Sequence, residues 1–226
     1  MPVLGMRSAY RMEPINIINI MKSIYSFEQR IQTPGAMIKT IRVNPRHGKW
    51  VNLFPDYPII KSVLDGLEKD DDGYCWITRK DVFSEKDTAR KAILALLWGF
   101  PGGYRNPVTH RNAVGSVLEI AEEKNDRDLT KSMFMDMIGK KGVGLSTLSK
   151  ILYFFEYKVD GKPALILDSR VRENLPKFLE FESVVQNRLQ SFEGYTSYVS
   201  RMSEIANKMS GVTPDQLEFF LFNCKL

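Results

Sequence analysis

Three observations predict a mainly α-helical fold for this chain of 226 residues. From Ser84 onward, apolar residues recur at the spacing of helices that bury one face. Short breaks containing Gly or Pro separate these segments, and no internal repeat or low-complexity stretch interrupts them. The last segment carries start signals, because Thr213 is a favoured N-cap residue and Pro214 suits a first turn. The predicted helices span residues 89–98, 112–123, 129–138, 145–157, 169–179, 195–209 and 214–223.

The first part of the chain predicts a mixed N-terminal segment, residues 1–83, ahead of a helical core at 84–226. Its elements are a helix over 14–32, a short strand over 37–43 from alternating apolar residues, a short helix over 57–67 and a solvated acidic turn over 68–73. Ser84 and Asp87 resemble a capping box that opens the core.

Composition and charge exclude several classes of protein. The formal net charge of +5 is compatible with nucleic-acid binding and equally with an enzyme of small molecules. Cys75, Cys224, His47 and His110 lack the spacing of a zinc site, and two distant cysteines exclude a disulfide framework. Because the sequence shows neither a secretory signal nor an apolar run of membrane length, we expect a cytoplasmic protein, nucleoid-associated if bacterial.

The most informative stretch is MFMDMIGKKGVGLSTLSKILYFF, which predicts two helices around a glycine-containing turn at about 130–157. Gly142 and Gly144 flank Val143 and let the backbone turn tightly and approach a ligand. The free N–H groups of the second helix favour a phosphate, and Lys140 and Lys141 add positive charge. We therefore predict a DNA phosphate contact. The alternative is an ordinary joint in which the glycines are a C-cap and a turn.

A second motif lies at Asp168, which ends the apolar run Leu165–Leu167 and precedes Ser169 and Arg170. An aspartate in this position is, by itself, typical of a helix N-cap. It gains a functional interpretation because it follows the hairpin at a short distance, 22 residues after Ser146.

Together the two motifs, GVGLSTLSKILYFF followed by LILDSRV, resemble the helix-hairpin-helix (HhH-GPD) DNA glycosylase superfamily, and most closely its 8-oxoguanine DNA glycosylase-like branch. The resemblance covers the chain from about residue 84 to the C-terminus. It implies a two-lobed helical fold with an N-terminal extension, and a flipped, modified base held in the cleft between the lobes.

The resemblance also assigns roles to residues. Asp168 matches the catalytic aspartate, and Gly142, Val143 and Gly144 match the hairpin whose backbone holds a DNA phosphate, often with a monovalent cation on its carbonyls. It implies no organic cofactor and no other metal. The expected partner is DNA that contains a modified base, with the enzyme acting as a monomer.

One departure from the family pattern bears on the mechanism. Bifunctional members carry a nucleophilic lysine two positions after the second hairpin glycine, where this chain has Ser146, and Lys150 follows one helical turn later. We therefore expect a monofunctional enzyme in base-excision repair: Asp168 activates water, and Ser146 either binds that water or a phosphate or is an ordinary polar residue of the first turn.

Three alternatives stay open at this point. Lys150 or another lysine can make the enzyme a bifunctional glycosylase and lyase. The substrate can be a modified phage base, in which case the protein acts in defence. Finally, the hairpin can belong to a DNA-binding module without catalysis, although that interpretation leaves Asp168 without a purpose.

The remaining candidate residues surround these motifs. Aromatic and polar residues predicted to line the base pocket are Trp98, Phe100, Tyr104, Glu218, Phe219 and Phe222, and their alternative is plain core packing at helical spacing. Arginines predicted to contact DNA are Arg105, Arg170 and Arg172. Arg105 either contacts a phosphate or fills the gap left by the flipped base, and for the other two the alternative is a solvated helix face.

Overall fold

The computed structural model describes residues 21–32, 41–44, 49–104, 106–123 and 126–224. Within these ranges the chain forms eleven α-helices, four short strands and several 3-10 turns, which confirms the predicted mainly α-helical class.

The described N-terminal elements are a mixture of short helices and one strand pair. They are a 3-10 turn Ile24–Phe27, α1 (Glu28–Ile31), β1 (Ile41–Val43), a 3-10 turn Val51–Leu53, α2 (Pro58–Asp65), β2 (Cys75–Ile77) and α3 (Arg79–Ser84). The strands pair antiparallel with Arg42 opposite Trp76. The predicted strand is therefore confirmed over 41–43, and its residues 37–40 lie outside the described ranges.

The prediction of one continuous helix over 14–32 is wrong for residues 21–23, which are not helical. Lys22 donates its amide to Lys177 O at 3.0 Å and accepts from the amide of Leu179 at 3.2 Å, so this residue is held extended. The 3-10 turn begins only at Ile24. Residues 14–20 lie outside the described ranges.

The helical core contains the remaining elements. They are α4 (Thr88–Gly99), α5 (Pro107–Glu122), α6 (Lys131–Gly139), α7 (Leu145–Phe154), the strands β3 (Lys158–Val159) and β4 (Lys162–Pro163), α8 (Ser169–Asn174), 3-10 turns Leu175–Lys177 and Leu179–Phe181, α9 (Glu182–Gln186), α10 (Phe192–Asn207) and α11 (Pro214–Asn223). β3 and β4 pair as an antiparallel hairpin between α7 and α8.

Capping chemistry moves two predicted boundaries. The capping box forms at Thr78 and Asp81, so it opens α3, and Ser84 is the last residue of that helix. Asp87 caps α4 by accepting the amide of Arg90 at 2.8 Å.

Two further boundaries differ from the prediction by five residues each. Asn106 accepts the amides of Val108 and Thr109, so α5 begins at Pro107, five residues earlier than predicted. The helix predicted over 169–179 ends at Asn174 because Pro176 lacks the amide that would continue its hydrogen bonding, and 3-10 turns follow.

The core is built around α4, whose residues 92–98 are all buried. It packs against α2, α3, α5 and α7, so the apolar faces of both parts of the chain meet on one helix. α7 lies beside α4, which places the hairpin that precedes α7 at the edge of this core. In the described part of the chain no helix has the length and apolar character required to span a membrane.

Candidate active site and DNA-contacting hairpin

The predicted hairpin is present between α6 and α7 and is fastened to α5. Gly142 has φ of +81°, and a Cβ atom there would lie 2.6 Å from the amide nitrogen of Ala113 and 2.7 Å from Thr109 O. The hydroxyl of Ser116 donates to Lys141 O at 2.9 Å. The first hairpin glycine is therefore required by the fold itself.

The second hairpin glycine has a different environment. Gly144 is the N-cap of α7, makes no side-chain capping bond, and a Cβ atom there would meet nothing within 4 Å. Since no side chain caps this end, the amides of Leu145 and Ser146 have no partner within the ten-residue helix α7, whereas the amide of Thr147 donates to Gly144 O at 2.9 Å. This geometry is suited to an oxyanion.

The two hairpin lysines are not equivalent. Lys140 forms ion pairs with Glu119 on α5 at 3.1 Å and with Glu123, the C-cap residue of α5, at 3.3 Å, and these carboxylates raise its pKa. Lys141 is exposed. The predicted electrostatic role therefore suits Lys141 better than Lys140, whose charge is already balanced within the protein.

The run that leads to Asp168 is fixed by hydrogen bonds to its backbone. Ser149 on α7 accepts the amide of Leu167 at 3.0 Å. On α10, the Tyr195 hydroxyl donates to Leu165 O at 2.7 Å and the Tyr198 hydroxyl donates to Ile166 O at 2.9 Å. These three polar side chains replace the strand partners that an extended apolar run otherwise needs.

Asp168 is a helix N-cap, and its position is also compatible with a catalytic role. Its Oδ1 accepts the amide of Val171 at 3.1 Å, so it is the N-cap of α8. The residue is only 8% exposed. The carboxylate is therefore rigidly held and largely shielded from water.

Lys150 is buried beside the slot where the sequence has Ser146. Its Nζ donates to Ser146 Oγ at 2.8 Å and to Ser146 O at 3.0 Å, although the residue lies one turn further along α7. The ammonium also lies 4.8 Å from the ring centroid of Phe100. A Cβ atom at Gly99 would lie 2.5 Å from Lys150 Cδ, so this glycine makes room for the lysine.

The charges around Lys150 explain its pKa. Burial lowers the pKa of Lys150 to about 8, and repulsion from Arg79 and Arg172 acts in the same direction. Attraction to Asp168 and Glu218 acts in the opposite direction and raises the pKa. We call Arg79, Lys150, Asp168 and Glu218 the charged cluster.

A buried ion pair in this cluster was missed by the sequence analysis. Arg79 Nη2 lies 2.7 Å from Glu218 Oε2, and Arg79 Nη1 donates to the Tyr153 hydroxyl at 3.0 Å. The pair joins α3 to α11 and both side chains are almost fully buried. Burial opposes the charge of Arg79, but Glu218 and Tyr153 raise its pKa above the ordinary value. An arginine in the first turn of a capped helix gives no sequence signal for such a partner.

Three of the predicted base-pocket aromatics pack against other aromatic rings, and of these Trp98 is buried while Phe100 and Tyr104 are half-buried. Trp98 is 1% exposed and its ring lies edge-on to Phe154 at 5.1 Å between centroids, so it packs in the core. Tyr104 is stacked between Phe100 at 4.4 Å and His110 at 5.2 Å. Because Tyr104 is half-buried, its contact with a base stays a prediction.

The other predicted residues take varied positions. Glu218 is bound to Arg79, and Phe219 is half-buried with the same guanidinium 5.6 Å from its ring. Phe222 is half-buried under the guanidinium of Arg170, at 4.9 Å. Arg170 is exposed and Arg172 is half-buried, both on α8 beside Asp168, and Arg105 lies outside the described ranges.

Comparison with known proteins gives one match. The model of a family described as "Putative 8-oxoguanine DNA glycosylase OGG-like protein" matches residues 37–222. The match includes the hairpin and Asp168, and it also reaches well into the N-terminal segment, where the sequence analysis found no resemblance. No curated protein and no solved structure matches the chain.

Proposed function

Because this chain belongs to the 8-oxoguanine DNA glycosylase OGG-like family, we propose that it flips a modified base out of DNA and hydrolyses its N-glycosidic bond in base-excision repair. The observation that carries the proposal is Asp168, a buried carboxylate clamped at the start of α8, whose charge acts on Lys150 of the hairpin helix α7.

The chemistry follows from the charge that develops during cleavage. As the bond between C1′ and the base breaks, positive charge accumulates on the sugar, and a fixed carboxylate stabilises it. Asp168 also accepts a proton from the attacking water or orients that water, and the base leaves with the bonding electron pair. The product is an abasic site.

The hairpin supplies affinity without sequence preference. Backbone amides at the start of α7 hold a phosphate, and Lys141 with Arg170 adds charge nearby. The cost of extruding the nucleotide, on the order of a few kcal/mol, is then offset by contacts to the flipped base.

The test uses duplexes that each carry one modified base, with 8-oxoguanine among oxidised, alkylated and deaminated bases. Released base and alkali-induced strand cleavage are measured for the wild type, Asp168→Asn and Asp87→Asn. Asp87 caps α4 as Asp168 caps α8, so Asp87→Asn controls for the loss of a capping carboxylate. The proposal predicts excision of at least one base, abolished only by Asp168→Asn. Absence of release from every duplex would refute it.

A second candidate is the bifunctional reaction, which the contact between Lys150 Nζ and Ser146 Oγ favours. Although Lys150 lies one turn further along α7, its ammonium reaches Ser146, the position at which bifunctional family members carry their nucleophilic lysine. In this reaction the unprotonated amine bonds to C1′ while the base leaves with its electron pair and takes up a proton. Opening of the sugar gives an imine, and loss of the C2′ proton then expels the 3′ phosphate and nicks the strand.

Borohydride reduction distinguishes the two candidates, because it converts such an imine into a stable protein–DNA adduct. We compare the wild type with Lys150→Gln and with Lys91→Gln as the control. Burial lowers the pKa of Lys91 as well, but Lys91 is not part of the charged cluster. An adduct lost only in Lys150→Gln supports the bifunctional reaction. Base release without any adduct, with nicking only after alkali, supports hydrolysis.

A further inference from the structure

Phe100 is the C-cap residue of α4 and lies beside the end of the Lys150 side chain. The ammonium of Lys150 lies over its ring, 4.8 Å from the centroid. An aromatic ring attracts a cation at this distance, and it does so more strongly where water is excluded. Lys150 is only 3% exposed, so the contact is made in such a place. The ring is therefore a second partner of the ammonium, in addition to Ser146.

The position of the Phe100 ring is fixed by residues other than Lys150. The amide of Phe100 donates to Leu96 O at 2.8 Å, and its carbonyl accepts the indole N–H of Trp50 at 3.0 Å. Tyr104 stacks on the ring with 4.4 Å between the centroids, and the Tyr104 hydroxyl is hydrogen-bonded to Thr147 of α7 at 2.8 Å. Because these contacts anchor the ring to α4 and α7, the ring can position the lysine rather than follow it.

Lys150, in contrast, has a long side chain that loses rotamer freedom when it is held in one place. Its hydrogen bonds to Ser146 fix Nζ from the first turn of α7. Gly99 leaves space for the aliphatic part, since a Cβ atom at Gly99 would lie 2.5 Å from Lys150 Cδ. The ring of Phe100 then restrains the ammonium from the end of α4. Ser146 and the end of α4 thus define one position for Nζ.

We propose that Phe100 is a positioning residue for Lys150, whose ring holds the ammonium at Ser146, the position where bifunctional family members carry their nucleophilic lysine. This role lies within the protein and is additional to the base-pocket wall predicted from the sequence. The contact does not depend on the proposed function, whereas its use in catalysis rests on that proposal. In hydrolysis the held ammonium is a fixed charge that interacts with Asp168, and in the bifunctional reaction it supplies the amine.

The ring also acts on the protonation of Lys150. Burial is the largest influence and lowers the pKa of Lys150 to about 8. The charged residues that act on it are two carboxylates, which raise its pKa, and two guanidinium groups, which lower it: Asp168, Glu218, Arg79 and Arg172. Because the ring attracts the charged form, it too favours protonation. Phe100→Leu keeps the apolar bulk and removes the aromatic ring, so the pKa should fall further.

The test is NMR of the full chain, folded, with isotope-labelled lysine, in which Lys150→Gln assigns the signals of Lys150. In the wild type, the current of the Phe100 ring should shift the ε protons of Lys150 upfield of those of the other lysines. Phe100→Leu should remove this displacement and lower the pKa of Lys150 by about one unit. Phe100→Tyr keeps an aromatic ring and should restore both. Phe27→Leu is the control, because Phe27 is also half-buried with a cation over its ring, Arg30 at 5.4 Å, and should leave both unchanged.

A second measurement follows the reaction, if the wild type forms an adduct that borohydride traps. The adduct of Phe100→Leu should then reach half its maximum at a lower pH than that of the wild type, and Phe100→Tyr should match the wild type. A pH profile of Phe100→Leu equal to that of the wild type would overturn the role of the ring in the reaction.

The positioning itself is overturned if the wild-type ε protons of Lys150 show no upfield displacement, or if Lys150 titrates in Phe100→Leu as it does in the wild type. The first of these results needs no variant, so it decides the matter even if Phe100→Leu does not fold. Neither NMR measurement requires base excision. Failure of this proposal and failure of the proposed function are therefore distinguishable.

Discussion

The hairpin at 139–144 lies on the surface and offers backbone groups, whereas the charged cluster is buried and offers side chains. The hairpin is built from consecutive residues, and a Cβ atom added at Gly144 would meet nothing within 4 Å. The cluster is assembled from α3, α7, α8 and α11, and Arg79 and Glu218 are 139 positions apart. The comparison teaches that the two parts have different sensitivities: the hairpin tolerates no added volume at Gly142, and the cluster tolerates little change of charge.

The largest expected effect outside catalysis comes from breaking the buried ion pair. Glu218→Ala leaves the Arg79 guanidinium without its carboxylate in a buried site, and the free energy of unfolding should fall by about 3–5 kcal/mol. Urea denaturation measures it. Glu193→Ala removes an exposed partner of Lys131 and is the matched control, with an expected midpoint equal to that of the wild type. Equal effects of the two variants would mean that the buried pair does not organise the cluster.

Next in size is the first hairpin glycine. Gly142→Ala places a Cβ atom within 3 Å of the α5 backbone at a positive φ, so we expect a loss of about 3 kcal/mol in the free energy of unfolding. Thermal denaturation checks this value. An unchanged melting temperature would show that the hairpin is not fastened to α5 as described.

The second glycine should respond in the opposite way. Gly144→Ala meets no protein atom, so stability should fall by at most about 1 kcal/mol, the difference between Gly and Ala at an N-cap. The added methyl group lies where the phosphate approaches, and DNA affinity should fall about tenfold. Gly139→Ala, also in open space, is the control and should bind DNA normally. Equal affinities of all three proteins would remove the hairpin from the DNA interface.

The smallest effect concerns Ser146. Ser146→Ala removes an acceptor from the Lys150 ammonium, which favours the neutral amine, so the pKa of Lys150 should fall below its value of about 8. Because the unprotonated amine is the reactive form and accumulates as the pH rises through this pKa, any borohydride-trapped adduct should reach half its maximum at a lower pH than in the wild type. An unchanged pH profile would show that Ser146 does not tune Lys150.

The same comparison explains how far sequence reasoning reaches. The hairpin and Asp168 were predictable because glycine conformation, helix dipoles and N-caps act over a few consecutive residues. The helical class was predictable for the same reason. Burial of Trp98 and the stacking of Tyr104 on Phe100 and His110 were not, because apolar spacing marks a buried face without saying what lies against it.

The charged cluster was beyond local patterns altogether. Lys150 was only an alternative nucleophile because of its position along the chain, yet its long side chain turns back by one helical turn to reach Ser146. The pairing of Arg79 with Glu218 and the clamp of Tyr195 and Tyr198 on the run before Asp168 depend on how distant helices pack. Such contacts become visible only once the fold places the helices.

The most direct test of these separate roles is a single-turnover experiment on one duplex that contains a base which the wild type excises. The excision rate at saturating protein and the DNA dissociation constant are measured for the wild type, Asp168→Asn and Gly144→Ala. We predict that Asp168→Asn loses about 10³-fold in rate and keeps its affinity, while Gly144→Ala loses affinity and keeps its saturating rate. If Asp168→Asn excises the base at the wild-type rate, the carboxylate is a helix cap alone and the account is wrong.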